Sequence, residues 1–147
     1  MIRPVTMDGS ETWTMTKLNQ ESLKRCERKI LRMIFGPVID TVTGQHGIRS
    51  NQELRNLYNE PDIVHLIKAN ILQWMGHVMR SDDKSILKEI WNGKPSGKRP
   101  LGRPRLRWRD QVYQDLNVLG NYDVDGATQD RIVWRKIIHE AKTHSGL

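Results

Sequence analysis

The chain has 147 residues, 37% hydrophobic and 28% charged, with 24 Lys and Arg against 17 Asp and Glu for a net charge of +7. That length suffices for one ordinary domain or two very small ones, and five Trp with well-spaced Ile, Leu and Val argue against full disorder. The single Cys26 excludes an internal disulfide, no apolar run approaches a bilayer span, and the start Met1-Ile2-Arg3-Pro4 turns polar too soon for a signal peptide, so an intracellular, reducing setting is expected.

Over residues 16–35, Leu23, Cys26, Ile30, Met33 and Ile34 recur at helical spacing, with Lys24, Arg25, Arg28, Lys29 and Arg32 on the other faces. The pattern predicts a helix whose apolar stripe, Cys26 included, packs inward, and Gly36-Pro37 stops it. Residues 38–49 hold Gly44, Gly47 and β-branched side chains without a period, which predicts a loop with a short extended piece. Ser50-Asn51-Gln52-Glu53 reads as a capping box opening a short helix with Leu54, Leu57 and Tyr58 that Pro61 ends.

A third helix is predicted over 62–80, where Ile63, Ile67, Ile71, Trp74, Met75 and Val78 form the broadest apolar stripe in the chain. Within it, Gly76 allows a neighbouring helix to approach closely, and His77 is a flank residue. Ser81-Asp82-Asp83 is expected to cap a short helix with Ile86, Leu87, Ile90 and Trp91, closed by Gly93. A fifth helix opens near Pro104 with Trp108, Val112, Leu116 and Leu119 on one face, and Gly120 ends it. A polar loop over 121–128 precedes a last helix lined by Trp134, Ile137, Ile138 and Ala141. The reading is all-α: about six short to medium helices in two small halves joined by a basic linker. The divisions are a helical region over 1–92, a flexible linker over 93–104 and a two-helix region over 105–147.

The charge is distributed unevenly. Residues 93–109, GKPSGKRPLGRPRLRWR, hold Lys94, Lys98, Arg99, Arg103, Arg105, Arg107 and Arg109 and no acidic residue, while the rest of the chain balances 17 basic against 17 acidic side chains. A concentrated cationic segment points to a polyanionic partner, RNA or DNA before others. Gly102-Arg103-Pro104-Arg105 matches the kernel of AT-hooks, in which Pro keeps the backbone extended so that flanking Arg side chains enter a narrow minor groove. Four residues support phosphate binding better than they support A·T specificity. Arg105, Arg107 and Arg109 are expected in a first helical turn, where cations meet the unfavourable end of the helix dipole and an anion would relieve the repulsion. Trp108 has two readings, stacking on a base or packing in the core with Val112. A solvated linker that maintains solubility accounts for the same charge without a partner.

Sites for chemistry do not assemble. Cys26 is explained by packing, GxSxG and GxxxxGK[ST] are absent, and His46, His65, His77, His139 and His144 lie scattered, as does any third carboxylate for Asp82-Asp83. No metal, cofactor, small-molecule substrate or membrane partner is expected.

Ile2-Arg3-Pro4-Val5, Gly9-Ser10-Glu11-Thr12-Trp13, Glu27-Arg28-Lys29-Ile30-Leu31-Arg32, Phe35-Gly36-Pro37, Pro61-Asp62-Ile63, Trp74-Met75-Gly76-His77-Val78, Gly102-Arg103-Pro104-Arg105, Arg107-Trp108 and Asp130-Arg131 with Trp134-Arg135 occur in this order along almost the whole chain. As a set they resemble the C-terminal part of the open reading frame of LINE-type (non-LTR) retrotransposons. The resemblance implies a thumb-adjacent helical region downstream of a reverse transcriptase in a polyprotein that also carries an endonuclease, holding template RNA or target DNA in the nucleus or cytoplasm. The polymerase's aromatic-x-Asp-Asp hairpin is absent, since Arg80 precedes Ser81-Asp82-Asp83 in a helical context. Asp8 stands where relatives carry Tyr, a zinc knuckle found in some elements is missing, and Met1 falls where relatives continue into the polymerase, as in a fragment.

The first expectation is therefore a non-catalytic nucleic-acid-binding fragment acting through Lys94, Lys98, Arg99, Arg103, Arg105, Arg107 and Arg109, with Trp108 stacking. The alternatives are a protein-interaction or self-associating module exposing Trp74, Met75 and Trp91, and a retroelement remnant with no selected function.

Overall fold

The computed structural model of the chain describes residues 3–39, 44–93, 97, 107–120 and 123–144. In chain order these form α1 (Arg3–Met7), a 3-10 turn (Ser10–Thr12), α2 (Lys17–Phe35), β1 (Val38–Ile39), β2 (His46–Gly47), α3 (Asn51–Tyr58), α4 (Ile63–Met79), α5 (Ile86–Asn92), α6 (Trp108–Leu119), α7 (Val124–Gln129) and α8 (Arg131–Thr143). The class is all-α, as the periodicity predicts, with eight helices among the described residues against about six expected. The additional two are α1 and α7, of five and six residues. Neither completes two turns, so neither displays a period in the sequence, and α7 occupies what reads as a polar loop. Among the described residues no helix is long and apolar enough to cross a membrane.

The fold divides into two compact units, one made of Met15–Val64 and one of Met1–Thr14 with His65–Leu147. The boundary falls near the start of α4, and α5 and α6, which flank the basic stretch, belong to the same unit.

In the unit Met15–Val64, Thr16 opens α2 by accepting a hydrogen bond from the Asn19 amide at 3.2 Å. Gly36 closes it at φ 67°, a left-handed value that glycine adopts without penalty. The apolar stripe expected to pack inward does so only in part: Leu23 and Ile30 are half-buried, but Cys26 is exposed, as are Met33 (69%) and Ile34 (67%). The inward face is the neighbouring one, carrying Lys24, Glu27 and Leu31. Glu27 accepts from the Ile63 amide at 3.3 Å, Lys24 pairs with Asp62 at 3.8 Å, and Leu31 is buried. Charged side chains on this face obtain partners at the start of α4, 36 residues away for Glu27, which helical spacing alone does not register. Arg32 donates to the Arg49 carbonyl at 3.3 Å and to Asn51 Oδ1 at 2.7 Å, while Arg49 donates to the Gly36 carbonyl at 3.0 Å. These bonds tie α2 to the antiparallel β1–β2 pair, Val38 opposite Gly47, and to α3.

The Ser50 capping box forms as the local sequence requires. Ser50 Oγ accepts from the Glu53 amide at 3.2 Å and the Ser50 amide donates back to Glu53 Oε2 at 2.7 Å. Those bonds favour the charged carboxylate, so the Glu53 carboxyl lies below its ordinary value.

The other unit is built on α4, where Ile67, Ile71, Leu72, Met75 and Val78 are buried together with Val112 and Leu116 of α6 and Trp134, Ile137 and Ala141 of α8. The Met79 carbonyl at the end of α4, which has no partner within the helix, accepts from Lys88 Nζ at 2.7 Å and Gln129 Nε2 at 3.3 Å. The cap of α5 is Ser85, whose hydroxyl accepts from the Lys88 amide at 3.3 Å; Ser81-Asp82-Asp83 does not cap it. Asp82 instead accepts from the Lys84 amide at 3.1 Å, closing a tight turn before the helix. α8 is capped by Asp130, whose side chain accepts from the Ile132 and Val133 amides at 2.7 and 3.2 Å. Between α4 and α6, Lys68 and Asp115 form a buried ion pair at 2.7 Å. Burial pushes the Asp115 carboxyl above its ordinary value, and the Lys68 ammonium only partly opposes this.

Candidate nucleic-acid interface

Three of the eight residues expected to contact nucleic acid, Arg107, Trp108 and Arg109, are described; Lys94, Lys98, Arg99, Arg103 and Arg105 lie outside the described residues, as does Pro104. α6 begins at Trp108, so Arg107 is its N-cap, held without a side-chain cap bond. Arg107 is exposed. Arg109 lies over two rings, its guanidinium carbon 4.9 Å from the Trp91 centroid and 5.6 Å from that of Tyr113, and Nη1 donates to the Trp91 carbonyl at 3.5 Å. Trp108 is anchored: its indole N–H donates to the Glu11 carbonyl at 2.8 Å and its ring meets Trp91 edge-on at 5.8 Å. The half-buried ring thus packs with Trp91 and the N-terminal turn as its neighbours.

A second cationic surface lies between the end of α4 and α8, and the sequence reading missed it. Gly76 lets the helices close: a Cβ there would run into the Trp134 indole, whose N–H donates to the Leu72 carbonyl at 3.1 Å. Beside this close approach a cleft of about 660 Å³ is lined by His77, Arg80, Arg131, Arg135, His139 and Lys142, with the buried Trp134 at its base. None of the described residues lining it carries a carboxylate. Arg80 Nη1 donates to the Thr128 carbonyl at 2.7 Å, and burial together with the Arg131 cation pushes its guanidinium below its ordinary value. His77, a flank residue by its helical position, is exposed, with its ring 5.3 Å from that of Trp74. One local signal existed for the α8 side of this surface: Arg131, Arg135, His139 and Lys142 recur at three- and four-residue spacing along α8. Nothing local joins them to Arg80.

The apolar surface expected to attract a protein partner differs in one member. Met75 is fully buried at 0% exposure because it faces the core from α4, whereas Trp74 and Trp91 are half-buried.

The fold is all-α, and among the described residues a cationic cleft lies between α4 and α8. Over 155 aligned positions it is 26% identical to an uncharacterised transposon-derived protein of Caenorhabditis elegans, covering 99% of this chain and 53% of that protein. The chain thus spans about half the length of the curated relative it matches. No protein-family model matches the chain, and no solved structure does.

Proposed function

We propose that this chain is a transposon-derived, non-catalytic nucleic-acid-binding segment, similar to the region that follows the reverse transcriptase in LINE-type elements. The observation that carries the reading is the confinement of the entire charge excess to residues 93–109, which lead into the exposed Arg107 at the start of α6. Seven cations without an acidic neighbour suit a partner with many phosphates better than a single small anion. The name of the C. elegans relative supports the transposon origin. The sequence offers no nucleophile, acid–base pair or metal constellation, so the reading assigns binding and positioning to the chain and no reaction.

The test is a titration of RNA and DNA oligonucleotides at several salt concentrations, for the natural chain and for a variant with the seven basic residues changed to Gln. Each phosphate that the variant leaves unneutralised should reduce the slope of log affinity against log salt by about 0.7 to 0.9, so the variant should bind more weakly and with a shallower slope. Unchanged affinity would overturn the reading. A protein-interaction role draws on a different observation, the exposure of Ile86 (69%) and Ile90 (70%) one turn apart on α5. A salt-independent oligomer in light scattering, indifferent to RNA and DNA, would favour it.

A further inference from the structure

We infer that the cleft between α4 and α8 is a second phosphate-binding site, one that seats the sugar-phosphate backbone of the nucleic acid strand whose binding is proposed above. The inference rests on that reading but concerns different residues: Arg80 precedes the basic stretch in the chain, and Arg131, Arg135 and Lys142 follow it.

Four permanent cations, Arg80, Arg131, Arg135 and Lys142, and two histidines, His77 and His139, converge on a cavity of about 660 Å³. A cationic surface on a folded helix normally interleaves with carboxylates, and here it does not. Of the acidic groups closest in sequence, Asp130 caps its own helix through the Ile132 and Val133 amides, and Glu140 lines not the cleft but an adjoining shallow depression that shares Arg135 and His139 with it. Among the described residues no ion pair is made by Arg131, Arg135 or Lys142. The depressed Arg80 guanidinium reports the same imbalance, since burial and a neighbouring cation, with no carboxylate, set its field.

Geometry favours a chain of phosphates over a lone ion. Arg131 and Lys142 are eleven residues apart on one helix, about 16 Å at 1.5 Å per residue, against an axial rise of about 3.4 Å per phosphate in a nucleic acid strand. Arg131 stands at the start of α8, where the helix dipole adds positive potential. Trp134, 2% exposed and bonded to the Leu72 carbonyl, together with Gly76 sets the separation of the two helices from which the cations project.

The test uses the full chain, with Arg131, Arg135 and Lys142 changed together to Gln and, separately, to the charge-keeping set R131K, R135K with Lys142 retained. Arg131 and Arg135 are exposed and Lys142 is half-buried, so thermal melts of all variants should match the natural chain. A labelled mixed-sequence single-stranded oligonucleotide is titrated across a salt series, and the Trp134 indole N–H resonance is followed in the same titration. The Gln variant is expected to lower the log–log salt slope by about 2 to 3, and the Lys variant to keep it. The Trp134 resonance should shift with oligonucleotide in the natural chain and in the variant lacking the seven basic residues of 93–109. If the cleft variant binds with natural affinity and slope while the 93–109 variant does not, the cleft assignment falls and the proposed function stands. If neither RNA nor DNA binds the natural chain, both fall. A Trp134 shift saturated equally well by inorganic phosphate alone would reassign the cleft to a free anion and overturn the backbone assignment.

Discussion

A methyl group at position 76 would occupy the space of the Trp134 indole, so this glycine is defined by what lies opposite it on α8. Gly76→Ala is expected to destabilise the chain by about 1 to 3 kcal/mol through overpacking, read as a lowered midpoint in urea unfolding, and to widen the cleft whose base is Trp134. The neighbouring residues of the same short segments have other tasks. Met75 fills the core, His77 lines the cleft, and Trp134 and Arg135 divide between core and cleft in the same way. A motif legible as Trp-Met-Gly-His is thus a packing seam and a surface interleaved at helical spacing. The close approach at Gly76 is readable from the sequence. The identity of the indole that fills it, on a helix far along the chain, is not.

At the scale of elements, α6 is held at its start by a tryptophan and not by a cap. Arg107 makes no side-chain cap bond, while Trp108 reaches the Glu11 carbonyl, 97 residues earlier. Trp108→Phe keeps an aromatic face but removes the N–H, leaving the half-buried carbonyl without its donor. The expected loss is about 1 to 2 kcal/mol of stability, with oligonucleotide affinity unchanged once the melts are matched for folded fraction. A large loss of affinity in a fully folded Trp108→Phe chain would assign this ring a direct role in binding. The helices that open with short polar side chains follow a local logic instead. Ser50 forms its capping box because donor and acceptor lie three residues apart. Ser85 rather than Ser81-Asp82-Asp83 caps α5 because Asp82 is drawn into a turn of its own. Neighbouring candidate caps this close together are beyond what spacing distinguishes.

For the molecule as a whole, the buried Lys68–Asp115 pair shapes the response to pH. The Asp115 carboxyl lies above its ordinary value because burial disfavours its charge more than Lys68 favours it. In the pH interval between the ordinary carboxyl value and the raised one, the folded chain therefore holds more proton at this site than the unfolded chain does. Its contribution to stability accordingly falls as pH rises through that interval. Replacing the pair by Lys68→Met with Asp115→Leu is expected to remove this component and to be neutral or stabilising by about 1 to 4 kcal/mol at neutral pH. Asp115→Asn alone should cost about 3 to 5 kcal/mol by stranding the Lys68 charge. Urea unfolding across a pH series compares the three chains, and a natural chain whose stability lacks that slope relative to the double variant would contradict the assignment.

The all-α class, the extent of α4, the Ser50 box, the Gly93 and Gly120 stops and the concentration of charge in 93–109 were all legible in the linear chain. Each depends on residues within a few positions of one another, where helical period, turn chemistry and charge counting apply directly. The inward face of α2, the anchoring of Trp108 and the cationic cleft came from packing. Lys24 and Glu27 turn inward because the start of α4 supplies their partners, Trp108 is held because Glu11 offers a carbonyl, and Arg80 meets Arg131 because Gly76 lets α8 close on α4. Side chains brought together across tens of residues carry no mutual period, so their shared chemistry arises only when the helices pack.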